Sequence, residues 1–224
     1  MKYGRYILAA IPALLSLEAA AADRPCCPEE PGWYAGISGM AVFLNDTDIK
    51  NTTGLFPAHD ILDYKTGYGF SGNVGYRILP SVRVELEVTK RQNDVDTFNG
   101  VPVVTGTNTF SAQSSIATMA NVYYDYHNDS LISPYIGAGI GGVDVKSPLV
   151  YFVGPEAVTL KGWVLGYQFM AGINYEVPNT NFELNFGYRY LTTEDLKVKF
   201  DTVPGTASVP NTSSNLEMGG RFYF

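Results

Sequence analysis

The stretch NFELNFGYRYL at residues 181–191 alternates between large apolar and polar side chains. Phe182 and Phe186 fall on one face of the chain, and Glu183 and Arg189 fall on the other. A period of two predicts a β-strand, because successive side chains of a strand point to opposite faces. The fold then depends on which face meets water. In a soluble barrel the Phe/Tyr face is the core, whereas in a membrane barrel it meets lipid and the charged residues point inward.

The same alternation recurs along the chain and predicts eight strands. They lie at about 33–44, 67–78, 82–91, 114–126, 134–145, 163–177, 181–191 and 215–224. Short turns at 79–81, 127–130 and 178–180 alternate strictly with long loops at about 45–66, 92–113, 146–161 and 192–214. Compact domains seldom carry four loops of this length. Outer-membrane barrels do, because they combine an even number of strands with short periplasmic turns and long extracellular loops.

The polar face of the predicted strands favours the membrane alternative. It is rich in glycine and nearly free of lysine. Glycine weakens an exposed strand and packs nothing, whereas inside a narrow barrel it makes room for large side chains. Tyr76, Tyr124, Tyr126 and Tyr175 cluster near the short-turn ends, as an interfacial aromatic girdle does. We therefore predict that the apolar face meets lipid and that the polar face lines the interior.

This arrangement places eleven charged residues inside the barrel, and they are close to balance. They are Arg77, Arg83, Arg91, Arg189 and Arg221 with Glu85, Glu87, Asp125, Glu176, Glu183 and Glu217. A sealed interior needs such balance, since an unpaired buried charge is strongly destabilising. A structural network of salt bridges is the favoured interpretation, and a polar track for ions or protons is the alternative. Eight strands leave an interior just wide enough for side chains, which disfavours a wide pore.

The N-terminus, MKYGRYILAAIPALLSLEAAAAD, has the pattern of a secretory signal peptide. Lys2 and Arg5 supply the positive region, the apolar run at 7–17 is too short to span a bilayer as a helix, and alanines precede Asp23. We expect a signal peptide at 1–22, a short periplasmic extension at 23–32 and a barrel at 33–224. No later stretch approaches 18 consecutive apolar residues, so no transmembrane helix is expected.

The only cysteines, Cys26 and Cys27, are adjacent in the sequence. A strained vicinal disulfide, mixed disulfides with partners and free thiols all remain open, and a passive oxidised pair is favoured. The stretch offers too few ligands for a metal. We expect no metal and no cofactor.

The whole pattern resembles the eight-stranded barrels of the OmpA transmembrane domain and the opacity-type surface antigens. The matching stretches are PYIGAGIGG (134–142), FELNFGYRYL (182–191) and GGRFYF (219–224). Phe222 and Phe224 fall on the apolar face, and this ending resembles the C-terminal signature that the barrel-assembly machinery reads. The resemblance implies an all-β, antiparallel up-and-down transmembrane barrel in the bacterial outer membrane. Its implied partners are membrane lipid and the assembly machinery.

Four functions compete for such a chain. The first is a structural or interaction protein whose long loops bind a host or surface ligand. The second is a narrow channel for small or hydrophobic solutes, which would need a gap in the interior network or a lateral opening. With a formal net charge of −7 and no basic patch in the loops, the chain is not expected to bind nucleic acid.

The third function is an outer-membrane enzyme, and the fourth is a secreted lipocalin-like carrier. An enzyme needs a nucleophile with a base. The two histidines, His59 and His127, are predicted to lie at opposite ends of the barrel, so no enzyme is expected. PGWYAG at 31–36 gives the carrier some support, but the glycine-rich polar face and the terminal Phe224 argue against it. We therefore favour a surface antigen or adhesin-like protein.

Overall fold

The computed structural model describes residues 31–45, 47–51, 59–98, 101–102, 112–126, 130–153, 156–194, 196–199, 206–209 and 211–224. The predicted signal peptide and Cys26 and Cys27 lie outside these residues. So does His127. Among the described residues, none forms a helix long and apolar enough to cross a membrane.

The described chain forms fourteen strands. In order they are β1 (Gly32–Leu44), β2 (Thr47–Asn51), β3 (His59–Tyr64), β4 (Gly67–Leu79), β5 (Val82–Asn93), β6 (Val95–Phe98), β7 (Val101–Pro102), β8 (Gln113–Asp125), β9 (Ile132–Val153), β10 (Glu156–Glu176), β11 (Phe182–Thr193), β12 (Leu196–Lys199), β13 (Thr206–Val209) and β14 (Thr212–Tyr223). Eight of them close into a barrel in the order β1-β14-β11-β10-β9-β8-β5-β4. Every pair of neighbours is antiparallel, including β1 with β14. This confirms the predicted eight-stranded up-and-down barrel.

The two ends of the barrel differ in their connections. At the turn end, the connections are 80–81, 126–131 and 177–181, and the amide of Phe224 donates to the carbonyl of Trp33 at 3.1 Å. The 177–181 turn is fixed by the Thr180 hydroxyl, which donates to the Val177 carbonyl at 2.8 Å. Asn179 has φ of 59° there, a left-handed conformation that Asn tolerates better than most residues. The opposite end, the loop end, carries the long connections.

The long connections contain more strand than the sequence analysis predicts. A second, six-stranded sheet, ordered β12-β13-β2-β3-β6-β7, joins the first, second and fourth of them. The third was predicted as a loop at about 146–161, which is wrong, because β9 and β10 continue there as a paired hairpin. Backbone hydrogen bonds hold a hairpin together whatever its side chains are. The strands can therefore extend beyond the stretch in which apolar and polar residues alternate.

The side-chain faces of the barrel strands follow the alternation. Phe182, Leu184 and Phe186 are exposed on the outside, whereas Glu183 and Arg189 are buried inside. The predicted girdle residues Tyr76, Tyr124, Tyr126 and Tyr175 lie outward at the turn end, and Trp33 packs edge-on against Tyr76 with ring centroids 5.1 Å apart. Most outward residues of the barrel strands are therefore apolar, as a lipid-facing surface requires.

Candidate functional site

The polar interior of the barrel is the candidate site. All eleven charged residues that the sequence analysis assigns to it are buried, each with 4% or less of its surface exposed.

Counted strand by strand, six strands contribute: four residues come from β5, two each from β11 and β14, and one each from β4, β8 and β10. Because interior side chains reach across the lumen, strands that are not neighbours in the barrel bring their charges together. The ion pairs fall into two groups, one near the turn end and one near the middle of the barrel.

Arg83 is the centre of the first group. Its Nε donates to Asp125 Oδ2 at 2.7 Å, and its Nη1 lies 3.8 Å from Glu85 Oε2. A third carboxylate, Glu183, forms a close ion pair with Arg221, and Arg77 Nη2 lies 3.8 Å from its other oxygen. Charge-assisted pairs of this kind are roughly twice as strong as neutral hydrogen bonds. The turn end of the lumen is therefore crossed by arginine–carboxylate contacts.

Four tyrosines complete this group, which we call the turn-end plug: Arg77, Arg83, Glu85, Asp125, Glu183 and Arg221 with Tyr34, Tyr123, Tyr135 and Tyr223. The hydroxyls of Tyr34 and Tyr123 each donate to Glu85 at 3.1 Å. Arginines also stack on the rings, with Arg83 Cζ 4.1 Å from the Tyr123 centroid and Arg77 Cζ 4.6 Å from that of Tyr223. The tyrosines fill space that charges alone would leave open.

Sequence reasoning did not include these tyrosines in the site. Tyr34, Tyr123 and Tyr135 are in phase with the polar residues of their strands, and Tyr223 shares a face with Glu217 and Arg221. An aromatic residue in phase with charged residues was the available signal. It could have been interpreted as a filler of the lumen.

Interior glycines make room for the tyrosine rings. A Cβ added at Gly75 would lie 2.1 Å from Tyr34 Cζ, and one at Gly137 would lie 2.5 Å from a ring carbon of Tyr123. Gly187 stands in the same relation to the Tyr135 hydroxyl, at 2.2 Å. The structure thus gives a packing reason for the glycines on the polar face.

The second group, the central cluster, consists of Glu87, Gln168, Arg189 and Glu217. Arg189 forms a close ion pair with Glu87 and a second one with Glu217 at 2.8 Å. Its Nη1 also donates to Gln168 Oε1 at 3.1 Å. The Thr89 hydroxyl donates to Glu87 at 2.6 Å. One guanidinium therefore binds a carboxylate of the neighbouring strand β14 and a carboxylate of β5, which lies across the lumen.

The remaining two predicted residues are Glu176 and Arg91. Glu176 ends β10, where Glu183 is its register partner. Arg91 is 2% exposed, and none of its three guanidinium nitrogens has a hydrogen-bond partner among the described residues. The structure therefore buries all eleven residues but does not join Arg91 to the others by a hydrogen bond or ion pair.

The described residues do not form a cluster of metal ligands. They contain no group of three or more His, Cys, Asp or Glu that could hold a metal ion. His59 opens β3 at the loop end. Phe222 and Phe224, the predicted assembly signal, both point outward.

The chain matches one family model over most of its length. The model is described as the outer membrane protein beta-barrel domain, and it matches residues 7–222. Among curated proteins, an uncharacterised protein of Brucella abortus (strain 2308) is 26% identical over 154 residues. An uncharacterised protein of Brucella suis biovar 1 (strain 1330) matches at the same identity and length. These alignments cover 59% of this chain and about half, 54%, of each relative.

Solved structures share the fold. Neisserial surface protein A superposes with a TM-score of 0.53 at 19% identity, covering 88% of this chain and all of that one. The outer membrane protein AlkL gives 0.56 at 16% identity, covering 92% of this chain and 96% of AlkL. OprG from Pseudomonas aeruginosa gives 0.52 at 14% identity, covering 86% and 97%. At these identities the likeness shows the fold alone.

Proposed function

We propose, from the premise that this chain belongs to the family of outer membrane protein beta-barrel domains, that it is a non-enzymatic surface protein of the bacterial outer membrane. The observation that carries the proposal is the filled lumen. Ion pairs, hydrogen bonds and tyrosine rings cross it in the turn-end plug, and the central cluster crosses it again. In this proposal the barrel is a rigid scaffold, and the residues at the loop end bind the ligand.

The second sheet supports a binding role for the loop end. Its pairings join β13 to β2 and β3 to β6, so that three separate connections form one surface. Binding residues are often carried by connections that a rigid scaffold positions. A host or surface ligand is the partner that such a sheet, held outside the cell, would meet. We also propose that Phe222 and Phe224 present the last strand to the barrel-assembly machinery.

Single-channel recording in planar bilayers tests the filled lumen. The native chain should give no stable conductance steps. The double variant Tyr34→Ala/Tyr223→Ala removes two rings that contact each other in the plug, with centroids 5.3 Å apart and planes tilted by 46°, and it should conduct. Tyr124→Ala, which removes an outward ring from β8, is the matched control and should stay closed. Heat-modifiable migration on unboiled gels verifies that each variant is folded.

Surface labelling tests the orientation separately. An epitope tag inserted at Asn108, between β7 and β8, should bind antibody on intact cells. A tag at Asn128, between β8 and β9, should bind only after the cells are permeabilised. The reverse pattern would place the loop end in the periplasm and would contradict the proposed surface role.

A narrow channel for small or hydrophobic solutes is the second candidate, and one observation favours it. Several of the buried polar atoms without hydrogen-bond partners among the described residues lie beyond the plug, at Arg91, Asn93, Gln113 and Asn215. Buried polar groups are ordinarily bonded to protein or to ordered water, so water in this part of the lumen would satisfy them. Large, steady conductance steps from the native chain would replace the surface-protein proposal with this one.

A further inference from the structure

Two buried amide side chains connect the central cluster to the turn-end plug. Arg189 Nη1 donates to Gln168 Oε1 at 3.1 Å, and Gln168 Nε2 donates in turn to Asn121 Oδ1 at 2.6 Å. Asn121 Nδ2 then donates to Glu85 Oε1, which belongs to the plug, at 3.3 Å. We call Gln168 and Asn121 the amide bridge, because together they form a hydrogen-bonded route from Arg189 to Glu85.

The charges at its two ends fix the orientation of the amide bridge. The guanidinium of Arg189 can only donate, so the oxygen of Gln168 must face it and the nitrogen must face Asn121. At the other end, the carboxylate of Glu85 can only accept, so the nitrogen of Asn121 must face it. Turning either amide by half a turn would bring two donors or two acceptors together. Both amides are therefore held in one orientation as long as both ends are in place.

A glycine on the intervening strand leaves room for the amide bridge. Gln168 lies on β10 and Asn121 on β8, and β9 lies between these strands in the barrel. Gly139 on β9 is the register partner of both residues. A Cβ added at Gly139 would lie 2.0 Å from Asn121 Oδ1. A larger residue at this position would therefore displace the amide on which the bridge depends.

On the turn-end side, the contacts of Glu85 continue into the plug. Glu85 lies 3.8 Å from Arg83, which donates to Asp125, and Asp125 accepts a hydrogen bond from Asn174 Nδ2 at 3.0 Å. Hydrogen bonds in a low-dielectric interior strengthen one another, and a buried amide without partners is costly. A change in the orientation of the bridge should therefore affect the plug beyond the residue that it contacts.

We propose that the amide bridge couples the central cluster to the turn-end plug, so that the two loosen together. When Arg189 no longer holds Gln168, this amide loses the partner that orients it and no longer presents its nitrogen to Asn121. The plug then loses a hydrogen bond at Glu85. Contiguous hydrogen-bond networks of this kind can carry coupling between sites. The coupling is a property of the lumen and does not depend on the ligand proposed for the loop end.

Hydrogen exchange at the Arg83 side chain, followed by NMR on the full chain in nanodiscs, tests the coupling. The Arg83 Nε–H lies in the plug, where it donates to Asp125 at 2.7 Å. The double variant Glu87→Gln/Arg189→Met perturbs the central cluster and removes one charge of each sign. It should accelerate exchange at Arg83 by about threefold or more, as expected for coupled residues. When Gln168→Leu is also present, the same double variant should cause no further acceleration.

A reference group separates this local effect from unfolding of the whole barrel. The backbone amide of Tyr223 donates to the Asn181 carbonyl at 2.9 Å at the turn end, and its exchange reports global opening. The exchange rate of Arg83 is therefore compared with that of Tyr223 in every variant. Equal acceleration of Arg83 with and without Gln168, or no acceleration relative to Tyr223, would overturn the proposal.

Matched variants test whether the amides themselves are responsible. Gln168→Glu keeps an acceptor for Arg189 but has no donor for Asn121, so it should accelerate exchange at Arg83 by itself. Gly139→Ala should do the same by displacing Asn121. Gln113→Leu removes a different buried glutamine, which donates to Asn211 at 3.4 Å, and it should leave the coupling intact. Native exchange at Arg83 in Gln168→Glu, or loss of coupling in Gln113→Leu, would also overturn the proposal.

Discussion

Replacing Arg189 by leucine should destabilise the barrel more than any other single change to the central cluster. Arg189 is buried and holds Glu87 in a close ion pair and Glu217 at 2.8 Å. Removing one partner of a buried ion pair costs about 3–5 kcal/mol, because the other charge is left in a low-dielectric interior. Arg189→Leu leaves two buried carboxylates without their cationic partner. The free energy of unfolding should therefore fall by at least about 3 kcal/mol.

Arg91 provides the control, because it is the other buried arginine that lies outside the turn-end plug. Arg91 is as deeply buried as Arg189, but it has no hydrogen-bond partner in the described part of the chain. Arg91→Met removes a desolvated charge, and it does not deprive any carboxylate of a hydrogen-bonded partner. Its effect should be within about 1 kcal/mol of zero, or stabilising, because hydrophobic replacement of a buried charge is often neutral or favourable.

Urea unfolding in lipid vesicles measures both variants. The two tryptophans, Trp33 and Trp163, are exposed on opposite ends of the lipid-facing surface, so their fluorescence changes when the strands leave the membrane. The double variant Glu87→Gln/Arg189→Leu should be less destabilised than Arg189→Leu alone, since the unpaired charge of Glu87 is removed. The reasoning is refuted if Arg189→Leu and Arg91→Met destabilise equally, or if Glu87→Gln adds its own cost to Arg189→Leu.

Two further predictions test the faces and the packing. Phe186→Arg places a charge on the outside of β11 and should cost about 2–4 kcal/mol if the position lies near the bilayer midplane; Phe186→Leu is the control, and equal urea midpoints for the two variants would mean that this face does not meet lipid. Gly75→Ala should cost about 1–3 kcal/mol, because its Cβ would lie 2.1 Å from Tyr34 Cζ. Gly72→Ala, on the same strand with no atom within 4 Å of the added Cβ, should be near neutral in the same assay, and a similar loss in both would contradict the packing argument.

The alternation of side chains was sufficient to predict the barrel. A period of two assigns each residue to a face without reference to any other strand, so the eight strands and the inward direction of residues such as Glu183 and Arg189 could be inferred from the sequence. The short turns could also be assigned to one end of the barrel from the sequence, because they alternate with the long connections along the chain. A period of two does not define where a strand ends, and the continuation of β9 and β10 beyond the pattern was not predicted because backbone pairing needs no alternation.

Tertiary structure alone decided which interior groups meet. Arg189 and Glu87 are 102 residues apart in sequence, and their strands, β11 and β5, are not neighbours in the barrel. Their contact depends on how the closed sheet is staggered, which no single strand encodes. The same closure leaves Arg91 without a partner among the described residues, sets the tyrosine rings over glycines, and joins three connections into a second sheet. Sequence periodicity fixes the direction of a side chain, whereas its contacts across the lumen exist only once the barrel has closed.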